Sequence, residues 1–486
     1  MELLLRRMNP WWAGQPMQIL PPHRRHLVAQ IKRRLDSRVA PIIVVRGARQ
    51  IGKTTSQMHV LSDLLASGVE GKRVLRVQFD DLGALDAVGV DPIIRIVDWF
   101  EHVVLGESLN EAAAAGRPTY LFLDEVQNLS GWAPQLKALV DTSSTQVVVT
   151  GSSALRLELG RDSLAGRINT IEAGVLSLTE IAALRDIPLG APSLADNGLG
   201  PLAQVEFWQE LRRRGVREAA ARDSVFAFFS ERGGYPIGHA RADVTWPQIA
   251  DQLNETVVKR VIQHDLRLGE RGRRRDEALL QEVFRLACRY AGQAPPIHTL
   301  AEDARQVFGA NLGDNRVRQY LRFLSEALLI RAIEPLEIRL KKKRGSPKLC
   351  LVDHALRASW LQEVVPLVPA ELTQQPALST LAGRVAESVV GAVLSTIVGL
   401  DIAHVPERGG DAEIDFVITV GTRRIPIEVK YQATPDPVRD VAGLRSFVRR
   451  TVNNAPFGVV ITQSDTDIDF GPDIVALPLS SMMLLR

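Results

Sequence analysis

"PIIVVRGARQIGKTT", residues 41–55, decides how the first third of the chain folds. Ile42, Ile43, Val44 and Val45 form a continuous β-branched run, the pattern of a strand covered on both faces. Gly47, Gly52, Lys53 and Thr54 then follow with the spacing G-x-x-x-x-G-K-[ST]. The glycines let the loop, with Ala48, Arg49, Gln50 and Ile51 between them, turn its N–H groups toward phosphate oxygens. The helix expected to start there adds the positive end of its dipole. At this spacing Lys53 reaches the β- and γ-phosphates and the Thr54 hydroxyl ligates Mg²⁺, so Gly47 to Thr55 are candidate nucleotide-binding residues. A chance match in an ordinary loop is the competing explanation, and the strand before and helical stretch after weigh against it.

Such a loop needs an acid from a second strand, and "TYLFLDEVQ" (119–127) supplies it. An apolar strand ends in Asp124, placed to bind a magnesium ion, and Glu125, placed to polarise an attacking water. "TQVVVTGSS" (145–153) is another strand ending in hydroxyls, so Thr150, Ser152 or Ser153 could sense a γ-phosphate. Capping of a following helix explains the same hydroxyls equally well.

Taken together, residues 36–176 resemble an AAA+ ATPase of the additional-strand P-loop type. "NPWW", "GARQIGKTT", "LDEVQ", "TGSSA" and "SLAGR" resemble the prokaryotic AAA-14 ATPases, which are usually fused to a DUF4143 region. Ala48 stands where that group often has proline. The resemblance implies ATP and Mg²⁺ as cofactors and a homo-oligomer, a ring being one form of it. It also makes Arg167, at the end of "SLAGR", a candidate arginine finger or sensor, with Arg161 as the rival.

Composition bounds the rest. The chain has 486 residues, 45% hydrophobic and 24% charged, enough for several globular domains with real cores. A net charge of +3 permits a nucleic-acid partner without requiring one. Cys288 and Cys350 are the only cysteines and form no C-x-x-C pair, so neither a disulfide framework nor a zinc site is expected. No signal-peptide pattern and no membrane span are expected, which reads as a cytoplasmic protein.

Residues 1–35 read as an N-terminal segment and 177–275 as a helical lid or linker region. Within the latter, "DIPLGAPSLADNGLGP" (186–201) is loop-like, and "ERGGYPI" (231–237) and the helix ending at Asp265 resemble segments of DUF4143 fusions. Residues 276–355 read as a winged helix-turn-helix: three helical stretches (279–291, 298–308, 314–327), then "LLIRAIEPLEIRL" and "PKLCLVD" as a hairpin. The third helix carries Arg316, Arg318 and Arg322, and the turn "KKKRGSPK" carries Lys341, Lys342, Lys343 and Arg344 on the way to Lys348. A basic helix and a basic wing form a phosphate footprint, so DNA is the expected partner. A solvated charged face on a packing domain is the competing explanation.

From 356 to 486 the order is helix, two strands, helix, strand. "EIDFVITV" carries Glu413 and Asp415 on one face, and "RIPIEVKYQ" (424–432) carries Glu428 and Lys430. D…E-x-K on neighbouring strands resembles the PD-(D/E)xK nuclease fold. That resemblance implies a divalent ion held by Asp415 and Glu428, with Glu387 of the preceding helix completing the set. Lys430 would position the water. Oxygen ligands favour Mg²⁺ or Mn²⁺. An ordinary Glu–Lys ion pair on a strand remains the competing explanation. The expected whole is an α/β multidomain protein with an AAA+ parallel sheet, a winged helix-turn-helix and a restriction-endonuclease-like domain. It hydrolyses ATP and cuts or grips DNA, or it is an ATPase switch whose last domain is catalytically silent.

Overall fold

The structure, a computed structural model, describes residues 1–79, 89–129, 131–151, 164–194, 198–241, 243–263, 276–308, 313–337, 345–407 and 412–486. Two compact units divide the chain, Met1–Ala173 and Gly174–Arg486.

In the first unit five strands, β1 (Ile42–Gly47), β2 (Val74–Gln78), β3 (Tyr120–Asp124), β4 (Gln146–Gly151) and β5 (Ile168–Ala173), form one sheet in the order β2-β3-β4-β1-β5. All four pairings are parallel. Parallel strands are buried on both faces, which the apolar runs of β1, β3 and β4 satisfy. Leu75, Val77, Leu121, Leu123, Val147 and Val149 pack with Phe100 and Trp132 into one core. Because β4 lies between β1 and β3, the chain crosses over beside the carboxyl end of β1, where open α/β sheets form a ligand crevice.

The N-terminal segment belongs to this unit. Asn9 pairs with the exposed edge of β2, its side-chain amide donating to Arg76 O at 2.8 Å while its carbonyl accepts from Arg76 N at 2.6 Å. The indoles of Trp11 and Trp12 both donate to Val74 O, at 3.0 and 2.9 Å. "NPWW" therefore covers a strand edge that would otherwise present unpaired backbone groups.

In the second unit, β6 (Ile330–Ile333) and β7 (Lys348–Leu351) form an antiparallel pair. β8 (Asp401–Val405), β9 (Ile414–Val420), β10 (Arg423–Lys430), β11 (Gly458–Thr462) and β12 (Ile474–Pro478) form a mixed sheet in the order β12-β11-β10-β9-β8. β8–β9 and β9–β10 are antiparallel; β10–β11 and β11–β12 are parallel. The sequence reading missed β8 and β12. β8 is short and polar at its start, and β12 ends on Pro478, which ordinarily argues against a strand but is tolerated at a sheet edge. The helices Glu277–Arg289, Ile297–Phe308 and Asp314–Glu326 precede β6.

The region 177–486, divided into three by sequence, shares one core in the structure. Trp208 and Phe229 from the helical region, Ile333 and Cys350 from β6 and β7, and Val389, Phe416, Ile427 and Leu477 all belong to it. The segment after β6 docks on β8, with Leu336 N donating to His404 O at 2.7 Å and His404 N to Glu334 O at 3.1 Å. β7 lies against the helix Ser379–Ser395, where Leu351 N donates to Ser388 Oγ at 2.8 Å. Gly391 permits this approach, because a Cβ there would meet Cys350 Sγ at 2.4 Å. Among the described residues one helix, Pro376–Ser395, is long and apolar enough to cross a membrane. Its Val385, Ala386, Val389 and Leu394 are packed into this core.

"ERGGYPI" has a structural role. Asp353 caps the helix His354–Leu361 through Ala355 N at 2.8 Å and also accepts from Gly234 N at 2.5 Å. Gly233 has φ +70°, and a Cβ there would meet Asp353 Oδ1 at 2.3 Å. His239 closes the turn by pairing Nε2 with Gly233 O at 2.7 Å. Burial, reinforced by the charges of Arg185 and Arg232, lowers its pKa from 6.5 to about 4, against the pull of the Gly233 bond. The folded state therefore keeps His239 neutral while the unfolded chain takes up a proton below about 6.5, so stability is full above that pH and is lost as pH falls toward 4. Wild type is expected to lose about 2 kcal/mol of unfolding free energy from this group between pH 7 and pH 5. In urea titrations at both pH values His239→Asn should remove that increment; an identical pH dependence in the two proteins would exclude the effect.

Candidate functional site

The loop after β1 carries the first site. Gly47 ends β1 so close to β5 that a Cβ would meet Ala173 O at 2.5 Å and Ile51 Cδ1 at 2.4 Å. Gln50 (φ 61°) and Gly52 (φ 88°) have left-handed backbone and turn the loop back into the helix Lys53–Ala66. Ala48 and Ile51 are buried beneath the loop, while Gln50 is exposed. Lys53 Nζ lies across the loop's own carbonyls, donating to Gly47 O at 3.0 Å and Ala48 O at 2.8 Å.

β3 brings Asp124 to the same place. Thr54 Oγ1 donates to Asp124 Oδ2 at 3.0 Å, and the Thr150 hydroxyl at the end of β4 donates to Asp124 Oδ1. Arg76 of β2 stands 3.4 Å from Oδ2. Burial raises the Asp124 pKa, with the Thr150 and Thr54 hydrogen bonds and the Arg76 charge opposing it. Glu125 has left-handed backbone (φ 52°), which turns its carboxylate away from the strand line, where Gln127 Nε2 donates to it. Three strands and the helix after the loop thus converge on one carboxylate.

These residues fit a magnesium nucleotide. The hydroxyl and carboxylate that share a Mg²⁺ in P-loop sites are already neighbours, and Gly47 leaves no side chain in the tight loop. Arg167 pairs with Asp141 across the surface, Nη2 to Oδ2 at 3.0 Å. Ser152, Ser153 and Arg161 lie outside the described residues.

The carboxylates of the last domain form the second site, and its central member is Lys348. Lys348, where the basic turn "KKKRGSPK" runs into the expected strand "PKLCLVD", is the first residue of the fully buried β7, with its side chain 1% exposed. Its Nζ donates to Asp415 Oδ1 at 2.6 Å and Glu387 Oε2 at 3.0 Å, and stands 3.5 Å from Glu413 Oε1. Asp415 Oδ2 accepts from Val429 N at 2.9 Å. Glu428 and Lys430 form the expected pair on β10, 2.7 Å apart, but Glu428 Oε2 is buried without a hydrogen-bond partner.

Burial opposes the Lys348 charge, yet Asp415, Glu387 and Glu413 outweigh it and hold the ammonium protonated. Burial likewise pushes Asp415 up, but Lys348, the Val429 N–H and Lys430 bring it below the usual range. Glu387 and Glu428 are pushed upward, by burial first and the Asp415 charge second. Of the residues expected to hold a metal, Glu387 and Asp415 share the Lys348 ammonium and Glu428 pairs with Lys430. The three do not fit a divalent ion as they stand, because an ammonium sits between two of them. No group of three His, Cys, Asp or Glu among the described residues is placed to hold a metal.

Of the residues read as DNA-binding, Arg316, Arg318 and Arg322 are exposed on the helix Asp314–Glu326, while Val317, Tyr320, Leu321 and Leu324 are buried behind them. Arg322 pairs with Glu326 and Arg318 with Asn315. Lys341, Lys342, Lys343, Arg344, Asp265 and the basic run 271–275 lie outside the described residues.

Comparison with known proteins agrees with the first site. Residues 39–182 match the AAA domain family (AAA_14), and residues 382–482 match a domain of unknown function (DUF4143). Residues 226–365 match a further domain of unknown function (DUF8612), which the sequence reading did not anticipate. The chain thus carries an AAA-type P-loop ATPase domain and a DUF4143 domain. It is 24% identical over 428 residues to an uncharacterized protein of Mycobacterium tuberculosis, covering 86% of this chain and 76% of that one. An uncharacterized protein of Methanocaldococcus jannaschii is 30% identical over 138 residues, 28% of this chain and 26% of that one. Among solved structures, a Walker-type ATPase of Pyrococcus abyssi is 14% identical with a TM-score of 0.41, covering 71% of this chain and 99% of that one. The RuvB Holliday junction branch migration motor of Thermotoga maritima is 13% identical with a TM-score of 0.27, covering 64% and 90%.

Proposed function

We propose that the chain is an ATP-hydrolysing switch that binds DNA and works as a homo-oligomer. The hydrogen bond of 3.0 Å between Thr54 Oγ1 and Asp124 Oδ2 carries the ATPase part, because it joins the phosphate loop to the acid that shares its magnesium ion. Magnesium-bound ATP supplies the phosphoanhydride bond that is broken and the metal charge that shields it. Lys53 leaves the Gly47 and Ala48 carbonyls to meet the terminal phosphates, and the loop N–H groups orient them. Thr54 and Asp124 hold the ion, Glu125 aligns the attacking water, and Thr150 keeps Asp124 in place. Arg167 acts across a subunit contact, which requires its pair with Asp141 to open.

The DNA part rests on the exposed arginines of the helix Asp314–Glu326, backed by a buried apolar face. Metal-dependent cleavage is not part of this reading, because the C-terminal carboxylates do not fit a metal ion. The test is ATP turnover with and without duplex DNA, alongside DNA affinity as salt is varied. Replacing Arg316, Arg318 and Arg322 with glutamine is expected to leave DNA-free turnover intact and to reduce the slope of log affinity against log salt by about 3, roughly one for each phosphate no longer neutralised. An unchanged slope would assign that face to packing.

A further inference from the structure

We propose that Lys348 is the built-in cation of the C-terminal domain, standing where a nuclease of the resembled fold would hold its divalent ion, so that the domain keeps its shape without metal. The position of the ammonium supports this. It lies 2.6 Å from Asp415 Oδ1, 3.0 Å from Glu387 Oε2 and 3.5 Å from Glu413 Oε1, so one head group serves carboxylates from the helix Ser379–Ser395 and from the start of β9. A lysine ammonium has three hydrogens to give and no acceptor, which suits it to replace a cation among carboxylates. Mg²⁺ demands oxygens at about 2.0–2.1 Å in near-octahedral array, and Asp415, the shared ligand, has both oxygens committed to Lys348 and to Val429 N.

The lysine is also held by its own strand. β7 is paired with β6 from Ile333–Lys348 to Ile330–Leu351, and Leu351 N is bonded to Ser388 Oγ of the same helix that carries Glu387. The ammonium lies 5.3 Å from the centre of the Phe416 ring, which adds a favourable cation–π contact. With its side chain 1% exposed, Lys348 can leave only if β7 moves away from the helix. Glu428 Oε2 marks what the substitution leaves undone. This buried carboxylate oxygen has no hydrogen-bond partner, as expected where one monovalent head group replaces an ion that several carboxylates would share.

The inference is tested by Mn²⁺ binding, read from the paramagnetic resonance signal of free Mn²⁺ with the full chain and no nucleotide. Wild type is expected to leave the signal as Glu428→Gln leaves it, with no ion taken up at these carboxylates. Lys348→Met is expected to bind one Mn²⁺ per chain, and Lys348→Met with Asp415→Asn to lose it. Mn²⁺ uptake by wild type that Glu428→Gln abolishes would overturn the proposal, as would a folded Lys348→Met that binds none. Should Lys348→Met fail to fold, the comparison of wild type with Glu428→Gln decides alone. The melting temperature of wild type in EDTA or in Mn²⁺ then gives a second readout, expected to be the same in both.

Discussion

Asp415→Asn is expected to lower the unfolding free energy of the second unit by about 3 kcal/mol, the cost of leaving a buried charge without its closest partner. Lys348 is buried and Asp415 is its nearest carboxylate at 2.6 Å, so the neutral amide removes the charge that most offsets burial of the ammonium. Glu387 and Glu413 remain, which keeps the loss below that of a fully orphaned lysine. The amide oxygen can still accept from Val429 N, so the backbone of β10 need not shift. Urea titration should show the midpoint falling with an unchanged slope, the sign of altered stability without altered compactness. An ordinary surface pair such as Arg322–Glu326, where the arginine side chain is 80% exposed, would shift it by well under about 1 kcal/mol. A shift that small at Asp415 would mean that Lys348 finds its compensation elsewhere.

Lys53→Ala is expected to reduce ATP turnover at least about a hundredfold, the usual effect of removing one preorganised donor to transition-state charge. Folding should survive, because the hydrogen bonds from Nζ to Gly47 O and Ala48 O stay within its own loop and their loss costs about 1 kcal/mol each. The loop shape depends instead on Gly47, Gln50 and Gly52, which the substitution leaves alone. Turnover should fall while the urea midpoint stays close to wild type, which separates a catalytic loss from an unfolded protein.

The first site was legible because its parts are local. A β-branched run, a glycine loop and a strand ending in acid each occupy fewer than about twenty residues, and parallel topology follows from such units. The contacts that complete it were not legible. Arg76 reaches Asp124 from the neighbouring strand β2, and Asn9 reaches β2 from 67 residues away. In the second site the Glu428–Lys430 pair followed from strand alternation, but Lys348 ended a basic run and so looked solvated. One signal pointed the other way: in "KLCL" the period of two puts Lys348 on the same face as Cys350, a residue type usually buried. A lysine sharing a face with a buried cysteine needs a carboxylate inside the protein, and three acids 39 to 67 positions away supply it. No local pattern encodes that distance.

Phosphate release from Mg²⁺-ATP, measured for wild type and Lys53→Ala at matched concentration, tests the central claim most directly. The account predicts steady turnover by wild type and almost none by the variant, with both chains folded. Equal turnover in the two, or none in a folded wild type with and without DNA, would contradict it.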